Sequence, residues 1–350
     1  MNKPGEKASR RIDLTGDQPL QKSSATADAN AAKARVIALS SGKGGVGKST
    51  LSVNLCVALA QQGQRVCLFD ADTNLANVNI LMGLSPRFTL QEFLNGERSI
   101  DEILIEGPAG VSIVPAASGI AEFIHLSDTQ QKNLLAALQE LEQRFDYLII
   151  DTAAGIHDQV IQFLLAAPYT ILVITPDPTS LTDAFSLLKV LKRYFFDHQV
   201  HVIVNMVSGL PAAHDVYKRF TLAAAKFLQL EIRYLGYVLT DQQLGESVRR
   251  QQPLQLYRPA AIASRCVYAI SNRLRQVFSG EPADREGFSG FFQQQLYPQP
   301  IDEHDAGQTT AAVSGDSQPQ LENSGDQVAG LLAGVYYATL LGARERSENS

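Results

Sequence analysis

Residues 40–50 read SSGKGGVGKST, and within them 42–49 fits the pattern G-x-x-x-x-G-K-[ST]. The run before it, RVIALSS (35–41), is short, apolar and β-branched, and 48–62 behind it has helical spacing. A strand that enters a glycine loop and leaves as a helix is the setting in which this pattern cradles phosphate. Glycines let the backbone aim N–H groups at phosphate oxygens, and the helix start adds the positive end of its dipole. Gly42, Gly44, Gly45, Val46, Gly47 and Thr50 are expected to line the phosphates, with Lys48 on the terminal ones and the Ser49 hydroxyl on Mg²⁺. Lys43 has no required place in that scheme.

Outward from this loop, β-branched runs alternate with helical patterns. The strand candidates are 35–41, 65–72, 111–116, 147–153, 170–176, 201–207 and 234–239, and the helix candidates 48–62, 128–144, 157–167, 180–196 and 214–229. Strands apolar along nearly their whole length are buried on both faces, as a parallel sheet between helices requires. The expected fold is α/β, doubly wound, with a mainly parallel sheet and helices on both faces. Ligands in such folds sit beyond the carboxyl ends of the strands. Three aspartates end strands there. Asp151 closes YLIID and is placed to hold the shell of Mg²⁺, while Asp70 and Asp72 close CLFDAD.

The whole chain has 350 residues, 45% hydrophobic and 19% charged, with net charge −6, which suits a globular protein and disfavours one that coats DNA. Residues 1–33 read as a disordered polar arm, 34–279 as the compact domain, 280–325 as a polar linker and 326–350 as an apolar segment with a tail. No apolar run of secretory type opens the chain, so a cytoplasmic location is expected. Cys56, Cys67 and Cys266 are widely spaced and read as reduced thiols, and the scattered histidines suggest no zinc site.

KGGVGKST resembles the deviant Walker A motif of the ParA/MinD family of P-loop ATPases, and the resemblance spans about 34–279. It implies that ATP and Mg²⁺ are bound and ATP is hydrolysed, slowly without a partner. It also implies that Lys43 acts across an ATP-dependent homodimer on the other chain's nucleotide. DADTNLANVNILMGL (70–84) resembles the first switch, with Asp72 as the water-positioning acid, Asn77 as a further switch residue and Asn74 in place of a usual glycine. DTAAGI (151–156) resembles the second switch, with Ala153 where proline or glycine is more typical. Asn205 matches the family's adenine-binding asparagine, and GYVLTD (236–241) the later base-flanking loop, without its usual proline.

Within the family, TPDPTSLTDAFSLLKVLKR (175–193) and IVNMV (203–207) look most similar to the flagellar-number regulators FlhG/FleN. That likeness implies an FlhF-like GTPase and a FleQ/FlrA-like transcription regulator as partners. DQPLQK (17–22) resembles in part the segment with which this group stimulates the GTPase. A MinD-type division-site regulator and a ParA-type partitioning ATPase stay open as alternatives. The latter needs a basic DNA-binding surface, for which Arg249, Arg250, Arg265, Arg273 and Arg275 are the candidates. A metal-cluster scaffold lacks its cysteine pair, and a small-molecule kinase or ligase lacks a visible acceptor pocket.

In EGFSGFFQQQLY (286–297), Phe288, Phe291, Phe292 and Leu296 share one helical face. Such a face suits peripheral contact with the inner face of the cell membrane, or equally a partner or the protein's own core. QVAGLLAGVYYATLLGA (327–343) is uncharged throughout and somewhat short for a membrane span.

Overall fold

All seven strand candidates of the sequence enter one eight-stranded sheet. The computed structural model describes residues 33–72, 77–115, 126–194, 196, 198–279 and 287–296. The arm 1–32 with DQPLQK, Asn74, the linker residues 280–286 and 297–325, and the segment 327–343 lie outside these. The chain begins with β1 (Arg35–Ser40), α1 (Lys48–Gln61), β2 (Val66–Ala71) and α2 (Asn77–Met82). Short elements follow: α3 (Leu90–Leu94), α4 (Ile100–Ile103), β3 (Ile105–Glu106) and β4 (Ser112–Val114). Regular alternation then takes over with α5 (Asp128–Arg144), β5 (Tyr147–Thr152), α6 (Asp158–Ala166), β6 (Tyr169–Ile174) and α7 (Pro178–Arg193). It continues through β7 (Gln199–Val207), α8 (Leu210–Leu228) and β8 (Ile232–Leu239). Helices close the described chain: α9 (Gln242–Arg249), α10 (Leu254–Tyr257), α11 (Ile262–Ser279) and α12 (Gly287–Leu296).

The strand order is β3-β4-β2-β5-β1-β6-β7-β8, parallel except for β3 against β4. β2 and β5 are buried at every residue, which explains their unbroken apolar composition. One core layer joins the sheet to α1, α2, α10 and α11, and the other joins it to α3 through α8 and α12. β1 lies between β5 and β6, so the loop that leaves it emerges in the middle of the sheet's carboxyl edge.

The structure adds elements that periodicity alone did not announce. α3 and α4 are single turns, each begun by a capping box, Thr89 with Glu92 and Ser99 with Glu102. α11, which the sequence offers only as arginines at helical spacing, is one of the longest helices described and packs on α1 and β8. Cys56 and Cys67 are buried free thiols whose acidity burial suppresses, and Cys266 is partly buried.

Of the aromatic face read at 286–297, the three phenylalanines Phe288, Phe291 and Phe292 pack on the core. Phe288 and Phe292 are buried, and Phe288 stacks on Phe163 of α6 at 6.2 Å between ring centroids. Ser289 donates through both its N–H and its hydroxyl to the buried Glu142 of α5, each at 2.8 Å. Burying one such phenylalanine is worth about 1.5–3 kcal/mol, enough to hold a ten-residue helix in place but not to lock it. Phe288→Ala is expected to speed amide hydrogen exchange across 287–296 while β1 and β5 exchange as in the wild type.

Candidate nucleotide site

Loop 42–47 owes its path to two close approaches. A Cβ on Gly42 would lie 2.2 Å from backbone atoms of Asp183 and Ala184 in α7. Gly47, the N-cap of α1, has φ 84° and abuts the side chain of Asn205. Only glycine meets both demands. The loop lines a cavity of about 490 Å³ together with Asp72, Asn77, Ala153 and His157.

At the floor, Lys48 Nζ lies 2.8 Å from Asp151 Oδ1, with the lysine 6% and the aspartate 0% exposed. The Ser52 hydroxyl, one turn further along α1, donates to the same oxygen at 2.7 Å. Asp151 stands beside Asp70 in the β2–β5 ladder. Each keeps one buried carboxyl oxygen, Oδ2, without a hydrogen-bond partner among the described residues. Lys48 Nζ also reaches the Ser49 hydroxyl at 3.4 Å, so that hydroxyl and the buried Asp151 carboxylate share one partner. Both are hard oxygen donors of the kind Mg²⁺ takes.

Lys43 leaves this cavity's floor alone. Its Nζ donates to Asp177 Oδ2 at 2.9 Å and to Thr179 Oγ1 at 2.6 Å, at the start of α7. Asp177 is also the N-cap of α7, accepting from the Thr179 N–H at 2.9 Å, and the Lys43 ammonium holds its carboxyl below the usual range. At the other end of the loop, Asn205 Nδ2 donates to the Val46 carbonyl at 2.8 Å. Gly155, in the stretch after β5, donates its N–H to the Ser41 carbonyl at 2.9 Å, tying that stretch to the loop.

Residues 34–200 match the family described as AAA domain. The antiactivator FleN of Pseudomonas aeruginosa is 38% identical over 266 residues, covering 76% of this chain and 94% of that protein. This chain belongs to the ParA/MinD family. A second relative, the flagellum site-determining protein YlxH of Helicobacter pylori, is 30% identical over 76% of this chain and 91% of its own length. Among solved structures, MinD of Pyrococcus horikoshii complexed with Mg-ADP shares the fold, with a TM-score of 0.57 at 24% identity over 71% of this chain and 98% of that one. The MinC:MinD complex of Aquifex aeolicus gives a TM-score of 0.54 at 26% identity over 69% and 96%.

For a ParA/MinD-family chain, the structure gathers Lys43, Lys48, Ser49, Asp72 and Asn77 around one cavity, and sets Asn205 at the loop's far end. Sequence reading overlooked Ser52, Asp177 and Thr179. Ser52 was within reach, because four residues after Lys48 is the same helix face. Asp177-Pro178 carries the signature of a helix start, yet its partner lies 134 residues away and nothing local announces it.

Burial, and then the charge of Asp151, push the Asp70 carboxyl up to about 7. Folded Asp70 therefore holds a proton that the unfolded chain has already lost, so stability falls as pH rises from the ordinary carboxylate range to about 7. Asp70→Asn removes that dependence. In nucleotide-free protein its melting temperature should exceed the wild-type value at about pH 8, and the gap should close toward about pH 5.

Proposed function

We propose that this chain is an ATP-dependent dimerising switch that hydrolyses ATP and regulates flagellar number or placement, in the manner of FlhG/FleN. The observation that carries the switch is Lys43 held by Asp177 and Thr179 of its own chain, at the rim of a phosphate loop it does not complete. An exposed ion pair of this kind is worth about 0–1 kcal/mol, so the lysine is cheaply released to a stronger anion. Exposed apolar side chains border the same cavity: Ile80 at 55% and Val248 at 38% line it, and Ile156 at 51% follows the stretch that does. Apolar surface around an incomplete site suits a second copy of the chain.

In this reading ATP lies along 42–50 and Asn205 meets its base. Mg²⁺, held by Ser49 and through water by Asp151, would neutralise phosphate charge when bound. Asp72 orients a water in line with the terminal phosphorus. A new P–O bond forms as the bond to the ADP oxygen breaks, and the partner's Lys43 stabilises the charge that develops. Because that lysine arrives only with the second chain, a lone chain turns over slowly, and hydrolysis ends the dimer.

The flagellar assignment is supported by FleN and YlxH, each aligned over 76% of this chain. An FlhF-like GTPase and a FleQ/FlrA-like regulator are the partners it brings. Direct DNA binding is disfavoured, since Arg249 and Arg250 pair with Glu246 and Arg275 donates to Gln62. No helix among the described residues is long and apolar enough to cross a membrane. We assign peripheral membrane contact from the cytoplasm to α12, whose phenylalanines must first leave α5 and α6.

Two experiments test this. With a non-hydrolysable ATP analogue, the wild type should elute as a dimer on size exclusion, and Lys43→Ala should bind the analogue yet hydrolyse ATP at least tenfold more slowly. Normal dimerisation and turnover by Lys43→Ala would remove the switch. In cells, deleting the gene should produce extra polar flagella that the wild type, but not Asp72→Ala, corrects. Normal flagella with minicells or DNA-free cells would instead assign the protein to division or partition.

A further inference from the structure

A sheet has two edges, and an open edge offers its N–H and C=O groups to any extended chain. Here one edge is β3, only two residues long, which leaves little to pair with. The other is β8, with eight residues and no strand beyond it among the described residues. Its first part is covered: the Tyr217 hydroxyl of α8 donates to the Ile232 carbonyl at 2.8 Å, and Arg233 donates to Gln199. Just past its end Thr240 donates its N–H inward to the Val207 carbonyl. Strand alternation therefore turns the backbone groups of Tyr237 and Leu239 outward.

Along this open stretch α11 makes the edge into a groove of about 430 Å³. The helix comes close because Gly236 has no side chain: a Cβ there would lie 2.7 Å from Ile270 Cγ1. Leu235, Tyr237 and Leu239 line the groove from the strand, and Ile262, Arg265 and Arg273 from the helix. Ile262 is 41% exposed, and both arginines are exposed. Arg273 is held over the Tyr234 ring, 5.7 Å from its centroid. No acidic side chain lines the groove, although the chain carries a net charge of −6. It shares no lining residue with the cavity at loop 42–47.

We propose that this groove docks an extended acidic segment of a partner protein, which joins the sheet as a strand beside β8. The outward backbone groups of Tyr237 and Leu239 bind its main chain, and the groove selects its side chains. Arg265 and Arg273 stand eight residues apart on α11, about 12 Å along the helix. An extended chain covers that span in about four residues, and residues four apart point the same way. The segment therefore carries two carboxylates about four residues apart, with an apolar side chain between them for the apolar lining. A second copy of this chain set edge to edge would bring four arginines together. A nucleic acid would leave the apolar lining and the strand edge unused.

The test uses the full chain and a fluorescein-labelled peptide, Thr-Glu-Thr-Val-Thr-Glu-Thr, with a control in which lysine replaces each glutamate. The acidic peptide should gain anisotropy on binding and slow amide hydrogen exchange at Tyr237 and Leu239, and the lysine peptide should do neither. Arg265→Glu combined with Arg273→Glu should weaken the acidic peptide at least about fivefold and favour the lysine one. Ala269→Glu, at an exposed position of the groove, should melt near the wild-type temperature and also lose the acidic peptide. No binding up to about 1 mM, or binding that all these variants leave unchanged, overturns the proposal. Loss of a nucleotide-free dimer in the arginine variant would give the groove to a second copy, and loss of duplex DNA binding there would give it to nucleic acid. Either result overturns the proposal too.

Discussion

An ammonium and a carboxylate, 6% and 0% exposed, meet at 2.8 Å where the phosphate loop crosses the end of β5. Removing either charge from water costs several kcal/mol, so neither Lys48 nor Asp151 is tolerable there without the other. The pair exists only because β5 lies beside β1 in a register that sets Leu39 against Asp151. In return it fastens the first turn of α1 to the strand next door, with Ser52 as a second tie. Loop 42–47 is thereby held in one shape between two fixed ends. Phosphate would offer Lys48 a stronger anion, and Asp151 would then be released toward a cation.

Other groups at the site follow the same logic of internal partners. Lys43 rests on the cap of α7, Asn205 on the Val46 carbonyl, and the phenylalanines of α12 on α6. Their strengths differ in a useful order. The exposed Lys43–Asp177 pair is worth about 0–1 kcal/mol, whereas each buried phenylalanine of α12 is worth about 1.5–3 kcal/mol. A ligand or second chain that competes for these groups meets weak resistance at the rim of the cavity and stronger resistance at α12.

Much of this fold could be read from the chain. Seven apolar runs became seven strands of the sheet, and the five helical patterns became α1, α5, α6, α7 and α8 within a few residues at their ends. Those elements are long enough for periodicity to speak. β3 has two residues and pairs only because β4 lies beside it; α3 and α4 are one turn each and depend on capping boxes. α11 buries Ala263, Val267, Ile270, Leu274 and Phe278 along one face, but Ser264 and Ser271 are buried there too, so polar residues break up the apolar signal of the face that packs on α1 and β8.

Residues 40–50 determined by themselves that a strand, a glycine loop and a helix stand in that order, because only such a backbone satisfies those glycines and a lysine at the helix start. The aspartates at strand ends followed, since parallel strands all finish at one edge. What the tertiary structure alone decided is which groups touch: Lys43 with Asp177 and Ser289 with Glu142. Those contacts join residues more than a hundred positions apart, and they arise from helix packing. Local spacing carries no information about that packing, because a side chain's partner is set by what the sheet brings beside it.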